Sequence, residues 1–495
     1  MSRLPAIAIV LCGAALGCGG GGGGEAPNAA EMRVESVEPR AHSQQSAADG
    51  RIGVRFDRPV RSASVTSRSF WAFGRWSGEV QGELRVSDDA RMVQLVPRGR
   101  LSAGEQVTVF LSSEIQGAGG EQLRPGGYSF QFWTRAGAGA MAFEPFQVLS
   151  TRSQPQEPSR AYGALASDLN GDGALDLTVV NEDSADLRVF LNRADGSGRF
   201  DGFLRPPPAV GRRASPSEPA DFDRDGRVDV CVANIDADTV SILLGDGDGR
   251  FSRVQHVPVG RAPRGIAVLD VDGDGDLDIV NTNSGSGTLS LLRNDGAGRF
   301  SPPTFFEAGG QSEWALAAAD MNDDGLLDLV VGDQAGGSVL VLAGNGDGSF
   351  TRRGAADAGG GVWMLATGDL DGDGREDVVT ANGRSNNAAA LLGDGAGGLR
   401  RSQLFAVAPF VLATDVGDLD GDGRLDWLLA SYSGAVTVLR NGPAGFRVEQ
   451  SHTLRTAGSC TVVFDADGDG DVDLALVDEE ADEVRLLRNG GGPGS

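Results

Sequence analysis

The nonapeptide "DVDGDGDLD", Asp270 to Asp278, sets five aspartates among nine residues, and near-copies begin at Asp168, Asp221, Asp320, Asp369, Asp418 and Asp465. Successive starts lie 53, 49, 50, 49, 49 and 47 residues apart. This repeat constrains the fold more than any other feature, because each period must build one unit that buries its apolar face against the next. It also poses an electrostatic problem. Crowded carboxylates repel one another, so each copy needs a counter-charge. A hard cation with oxygen ligands supplies one, and calcium accepts about six to eight oxygens in flexible geometry.

Within the nonapeptide, positions 1, 3, 5 and 9 offer side-chain oxygens and position 7 a backbone carbonyl. The candidate ligands in the first three copies are Asp168, Asn170, Asp172 and Asp176; Asp221, Asp223, Asp225 and Asp229; and Asp270, Asp272, Asp274 and Asp278. The fourth and fifth copies offer Asp320, Asn322, Asp324 and Asp328, then Asp369, Asp371, Asp373 and Asp377. The last two offer Asp418, Asp420, Asp422 and Asp426, then Asp465, Asp467, Asp469 and Asp473. Position 6 is glycine throughout, from Gly173 to Gly470, which permits the positive φ that wraps a loop round an ion. One acidic turn needs no ion, but seven matching loops at near-constant spacing point to Ca²⁺, up to seven ions. Twenty-eight positions less two asparagines give 26 carboxylates, the size of the net charge of −26; seven Ca²⁺ would add 14 and leave −12. An acidic chain without a basic patch is not expected to bind nucleic acid.

An EF-hand begins similarly but ends in Glu at position 12 between helices. Here position 9 leads into short β-branched runs such as "DLTVVN", "DIVNTN" and "DLVVGD", which read as strands. A second run follows ("VSILLGDGDGRF", "VLVLAGNGDGSF"), then a third, and a fourth such as "GIAVLD" enters the next loop. Four strands in a period of this length make a β-propeller blade. The repeats resemble the FG-GAP/VCBS family, the calcium-looped repeats of integrin α-subunit propellers and of many bacterial surface proteins. The resemblance spans residues 143–489 and implies seven blades closed in a ring. The last copy is followed by only two runs, "DLALVD" and "EVRLLRN", ahead of a flexible tail at 490–495. The strand that completes it is expected to be "FEPFQVLS", Phe143–Ser150, from the other end of the repeat region.

The N-terminal third is different. Residues 1–17 read as a signal peptide: Arg3, an apolar stretch too short to span a membrane, then small residues before Cys18. "ALGC" resembles a bacterial lipoprotein signal, with Ala15 where leucine is usual. That resemblance implies lipidation of Cys18, with residues 18–31 as a glycine-rich tether; an ordinary secretory signal is the alternative. Residues 32–136 carry short alternating strands ("RIGVRFDRPV", "QVTVFL", "YSFQFWT") at spacings suited to a β-sandwich. They resemble the bacterial Ig-like module called Big_5, whose inferred role is that of a spacer or adhesion module. "RAGAGAM" is expected to link it to the propeller. The expected fold is therefore all-β, an Ig-like β-sandwich followed by a seven-bladed calcium-binding β-propeller. Cys231 and Cys460 fall in non-adjacent blades, so no disulfide is expected.

His42, His256 and His452 are too scattered for a metalloenzyme motif, and no nucleophile elbow or phosphate loop is present. No catalytic residue is expected. The expected function is that of a bacterial cell-surface lipoprotein, meeting the membrane only through its lipid, whose calcium-stabilised propeller binds an extracellular protein or glycan. The alternatives are a purely structural envelope or matrix protein, and a polysaccharide lyase-like or other hydrolytic enzyme. Localisation is expected at the cell envelope, at the outer membrane or cell surface, or else as a secreted protein. Six residues before each loop, on the face opposite the loops, stand Tyr162, Ser215, Arg264, Trp314, Trp363, Leu412 and Ser459. Arg264, Trp314 and Trp363 fall in consecutive blades, and Trp and Arg are enriched at binding hot spots. They are the expected ligand-binding patch, although a tryptophan at that height can also simply pack between blades.

Overall fold

The computed structural model describes residues 31–490. The signal peptide, Cys18, nearly all of the tether and residues 491–495 lie outside the described residues. The N-terminal domain is a sandwich of two four-stranded antiparallel sheets. One contains Val34–Glu38, Ile52–Phe56, Met92–Pro97 and Gly82–Val86; the other contains Gly78–Glu79, Phe70–Gly74, Gln106–Leu111 and Tyr128–Trp133. Val54, Phe56, Phe70, Val107, Phe130 and Phe132 fill the space between them.

Seven further sheets form the blades. In each, an inner strand ends at an aspartate loop and the second strand begins at position 9, as in Ala161–Ser167 followed by Asp176–Asn181. All six residues of every second strand are buried. These strands pack on both faces against neighbouring blades, which explains their apolar run without alternation. The ring closes as expected: Ala142–Ser150 pairs antiparallel with Glu483–Gly490, Leu149 opposite Val484 and Gln147 opposite Leu486. One blade departs from the four-strand expectation. Blade 1 has three strands, and its fourth run is reduced to bridges at Asn192–Phe200 and Asp186–Ala209. Pro206, Pro207 and Pro208 lie in that run and have no N–H to give a ladder.

The sandwich is no free spacer. It sits on the loop face of the propeller, and its outer sheet is buried twice over. From the strand Phe70–Gly74, Phe70 and Ala72 face the sandwich core while Trp71 and Phe73 join a propeller cluster. Loop carbonyls accept hydrogen bonds from it: Ser113 N to Gly273 O and Ser129 N to Gly325 O, both 2.7 Å, and Gln44 Nε2 to Asp369 O. The expected linker also packs down, with Ala136 and Met141 buried against blades 6 and 7 and the Gly137 amide on Gly470 O. Two loops are altered where the sandwich meets them. Position 4 has positive φ in every copy; five copies use glycine, but Arg224 and Asp323 both adopt φ 56°. Their side chains are the docking contacts. Arg224 lies 3.8 Å over the Trp71 ring and donates to Gly275 O at 2.8 Å. Asp323 pairs with buried His42, whose other nitrogen meets Glu376 at 2.8 Å. Burial pulls the His42 imidazole down, but these two carboxylates outweigh it and hold its pKa at about 10.

Ring closure rests on one strand far in sequence from its partner. Leu149 is buried in the closing blade, so Leu149→Ala should cost about 2–4 kcal/mol. Replacing Phe143–Ser150 by an equal length of glycine and serine should lower the unfolding midpoint much further. An unchanged midpoint in thermal or denaturant unfolding would refute closure by this strand.

Candidate functional site

The aspartate loops are built from hydrogen bonds to carboxylates. The position-1 side chain accepts the N–H of the position-6 glycine in all seven copies, at 2.7–3.0 Å. That amide can point inward because the glycine has φ between +76° and +99°. The position-5 carboxylate accepts the position-7 amide in every copy. Position 9 holds more. One of its oxygens takes the amide at position 2, and the other takes an amide at the end of the blade's third strand. In blade 5, Asp377 accepts Leu370 N at 2.8 Å and Gly393 N at 2.7 Å. The same pair of bonds recurs in the other six blades.

Carboxylates at positions 1, 3 and 9 converge in blades 3, 5, 6 and 7, and those at 1, 3 and 5 in blade 2. In each of these five groups the three oxygens lie within 4.8 Å of one another. Oxygens bound to one ion at about 2.3–2.6 Å have such spacing. The remaining copies carry Asn170 or Asn322 at position 3, each with its amide oxygen on the position-5 N–H at 3.0 Å. Asp223 Oδ1 and Asp272 Oδ1 are buried without a hydrogen-bond partner, so the loops hold oxygens that the protein itself leaves unsatisfied. These donor sets fit a hard divalent cation. Burial pushes the position-9 carboxyls up, Asp176 to about 7 and Asp229, Asp328, Asp377, Asp426 and Asp473 to about 8, with Asp278 well above its ordinary value.

Two contributors were not anticipated from sequence. Arg293, Arg440 and Arg488, each at the end of a third strand, pair with the position-3 carboxylates Asp272, Asp420 and Asp467. Arg253 pairs with Asp223 at 2.7 Å from a fourth strand. The asparagine after three of these arginines, and its counterpart Asn192, reaches the neighbouring blade: Asn294 to Phe222 O, Asn441 to Leu370 O, Asn489 to Leu419 O and Asn192 to Ala466 O, at 2.7–2.8 Å. Glycine amides serve the other junctions: Gly249 on Leu169 O, Gly348 on Val271 O and Gly397 on Met321 O. Each loop's position-2 carbonyl is thereby tied to the next blade, the junction from blade 7 to blade 1 included. The signal was the recurring "LRN" at Leu292–Asn294, Leu439–Asn441 and Leu487–Asn489.

On the opposite face the expected patch residues meet. The Arg264 guanidinium lies 3.6 Å over the Trp314 ring, with its Nε on Ser284 Oγ at 3.1 Å. Trp314 and Trp363 meet edge to face with centroids 4.4 Å apart. The row continues through Phe410 at 5.0 Å and Tyr432 at 6.1 Å into blade 6, beyond the expected span. A fixed offset of six residues picks Leu412 there and misses Phe410. All five side chains are half-buried. The polar residues ending the second strands are turn-formers: Asp333 accepts Gln311 N and Ser312 N, and Asp478 accepts the amides of Arg455, Thr456 and Ala457.

A family model described as an FG-GAP-like repeat matches residues 168–232, 221–281, 270–331, 320–380, 369–429 and 418–476. Each window starts at a loop aspartate and runs past the next loop, so six windows cover all seven. A bacterial Ig-like domain (Big_5) model matches residues 28–134. Among solved structures, the chain is similar to BBS1N in its complex with ARL6DN, with TM-score 0.50, 11 % identity, and coverage of 70 % of this chain and 97 % of that one. It is also similar to an Agrocybe aegerita lectin described as recognising non-reducing terminal N-acetylglucosamine, with TM-score 0.43, 20 % identity, and coverage of 85 % and 99 %. At 11 % identity, the first of these shows a shared fold and nothing further. Among curated proteins, none matches the chain.

The two layers of the loop separate by mutation. Asp377→Ala leaves two buried amides without acceptors, at about 1–3 kcal/mol each, and should destabilise the protein even without metal. Asp371→Ala removes an exposed position-3 carboxylate whose one backbone bond, from Asp373 N at 3.2 Å, is solvent-exposed, so its metal-free cost should be small and its main effect should come when metal is bound. Equal losses for both in metal-free unfolding would refute the distinction. A pH effect follows as well. Unfolded aspartates titrate near about 4, so between about pH 4 and pH 8 the metal-free fold binds more protons than the unfolded chain. Its melting temperature should therefore rise as pH falls from about 8 to about 5.

Proposed function

Since the chain belongs to the FG-GAP-like repeat family and sets the repeats' aspartate loops on seven closed blades, we propose that it is a calcium-stabilised recognition protein whose propeller binds a protein or glycan partner. The ion is Ca²⁺, as the all-oxygen donor sets and flexible loop geometry favour. Positions 1, 3 and 9 hold it with the position-7 carbonyl, and it neutralises carboxylates that the fold crowds together. The observation that carries the recognition role is the half-buried row of Arg264, Trp314 and Trp363 on the face left open by the sandwich. Aromatic and arginine side chains bring large contact area at small entropic cost, and aromatic faces also suit sugar rings.

The protein works at the cell envelope, anchored through lipid on Cys18, with the sandwich and propeller held out on the glycine tether. It is not an enzyme. Supporting that reading, the loop aspartates are engaged in backbone hydrogen bonds. His42 is locked between carboxylates, and His256 is bonded to Ser241 Oγ at 2.8 Å.

Chelation should lower the melting temperature strongly, and Ca²⁺ should restore it far better than Mg²⁺, which demands tighter octahedral geometry. An indifferent melting curve refutes structural calcium. For recognition, a variant with alanine at 264, 314 and 363 should keep its calcium-dependent transition yet lose adhesion to intact cells and to arrayed glycans. If it adheres as the parent does, the row is only packing.

A further inference from the structure

Between the rim and the docked sandwich, the seven inner strands enclose an axial chamber of about 250 Å³. Its walls belong to the propeller, but its floor does not. Arg75, Thr108, Gln131 and Trp133 of the sandwich close the loop-side end, and Trp314 and Trp363 flank the opposite end. The walls are largely small side chains such as Ala164, Gly265, Ala267 and Ala318, which is why space remains.

The chamber's polar groups are not satisfied by one another. Gln131 Oε1, Ser217 Oγ and Thr461 Oγ1 are buried without partners, and their residues are only 5 %, 7 % and 6 % exposed. Each comes from a different element: the sandwich, blade 2 and blade 7. Arg75 Nη2 stands 3.8 Å from Glu218 Oε2, beyond hydrogen-bond distance, and both side chains keep open surface, 45 % and 30 %, that faces the chamber. Asp415 of blade 6 faces the same guanidinium, with its carboxylate oxygens on Val416 N and Val463 N at 3.0 Å. Burial pushes the Glu218 and Asp415 carboxyls up, and Arg75 offsets part of that rise. Groups free to donate (Arg75, Ser217, Thr461) and groups free to accept (Glu218, Gln131) thus line the same space.

We propose that this chamber is a binding site for one small, neutral, polyhydroxylated molecule of monosaccharide size. Hydroxyl groups donate and accept at the same atom, so a polyol can satisfy this mixed lining in a way that purely donating or purely accepting ligands cannot. A cation would meet Arg75, and an anion would meet Glu218 and Asp415. At about 250 Å³ the chamber has room for a single sugar ring. The site lies inside the ring beneath the rim's partner surface, with which it shares Trp314 and Trp363, and it needs the sandwich to complete it.

The test is calorimetric titration of the calcium-loaded full chain with glucose, galactose and myo-inositol, beside glucosamine as a cationic and gluconate as an anionic probe. At least one neutral polyol should bind saturably, one to one, and more tightly than either charged probe. Glu218→Gln and Thr461→Val, both near-isosteric, should each weaken that binding, the first about tenfold or more, while keeping the calcium-dependent melting transition. The proposal is overturned if no neutral polyol binds, which leaves the chamber to water. It is equally overturned if a charged probe binds best, or if both folded variants bind as the parent does.

Discussion

The hydrogen bonds that each loop carboxylate accepts from the backbone hold this structure together before any ion is considered. Position 1 folds the loop through the position-6 amide, and position 9 joins the loop to the end of the third strand. The position-2 carbonyl, held beside position 9, then receives the next blade's asparagine or glycine. Once the ion keeps it ionised, a carboxylate with two inward-pointing amides is a charge-assisted acceptor, roughly twice as strong as a neutral one. Seven such hubs in a closed ring share the work of positioning every blade against its neighbour. The ion's contribution is different in kind: it offsets the repulsion and desolvation that this arrangement creates.

That division explains why the sandwich docks where it does. The loop face presents carbonyls at positions 1, 4 and 6 that point away from the ion-facing oxygens, and the sandwich donates to them through Gln44, Ser113, Ser129 and Gly137. Two loops gave up glycine at position 4 and took on left-handed backbone at non-glycine residues, a cost of about 1–2 kcal/mol each. The cost is offset where it arises, since Arg224 stacks on Trp71 and Asp323 binds His42. Loops with glycine at position 4 contact the sandwich mainly through backbone; these two contact it through side chains as well.

The repeat was legible because its determinants are local. Gly275, Asp270 and Asp278 lie within nine residues, and their spacing alone fixes the loop. Closure by Phe143–Ser150 was legible too, since counting strands left one blade short. The Arg293–Asp272 and Asn294–Phe222 ties were not, because the first pairs a loop with the far end of its blade's third strand and the second joins two blades that meet only once packed. The docked sandwich also has a signal in the sequence. "SFWAFGRW" is apolar on alternate faces at once, where a sandwich strand with one solvated face would alternate. Trp71 and Phe73 were facing a second partner.

Docking also settles how the axis of the ring can be used. A propeller of seven blades has an opening at each end, and here one end is covered by Arg75, Gln131 and Trp133. Anything that reaches the interior must therefore come past the rim, where Arg264, Trp314 and Trp363 crowd together. The crowding is itself a consequence of geometry: inner-strand starts from seven blades converge on the axis, so large side chains at adjacent blades must touch. Alanine and glycine below them leave the chamber open beneath the rim. Surface recognition at the rim and the unpaired polar lining beneath it thus share a single approach. The sandwich, by sealing the far end, turns a channel into a pocket.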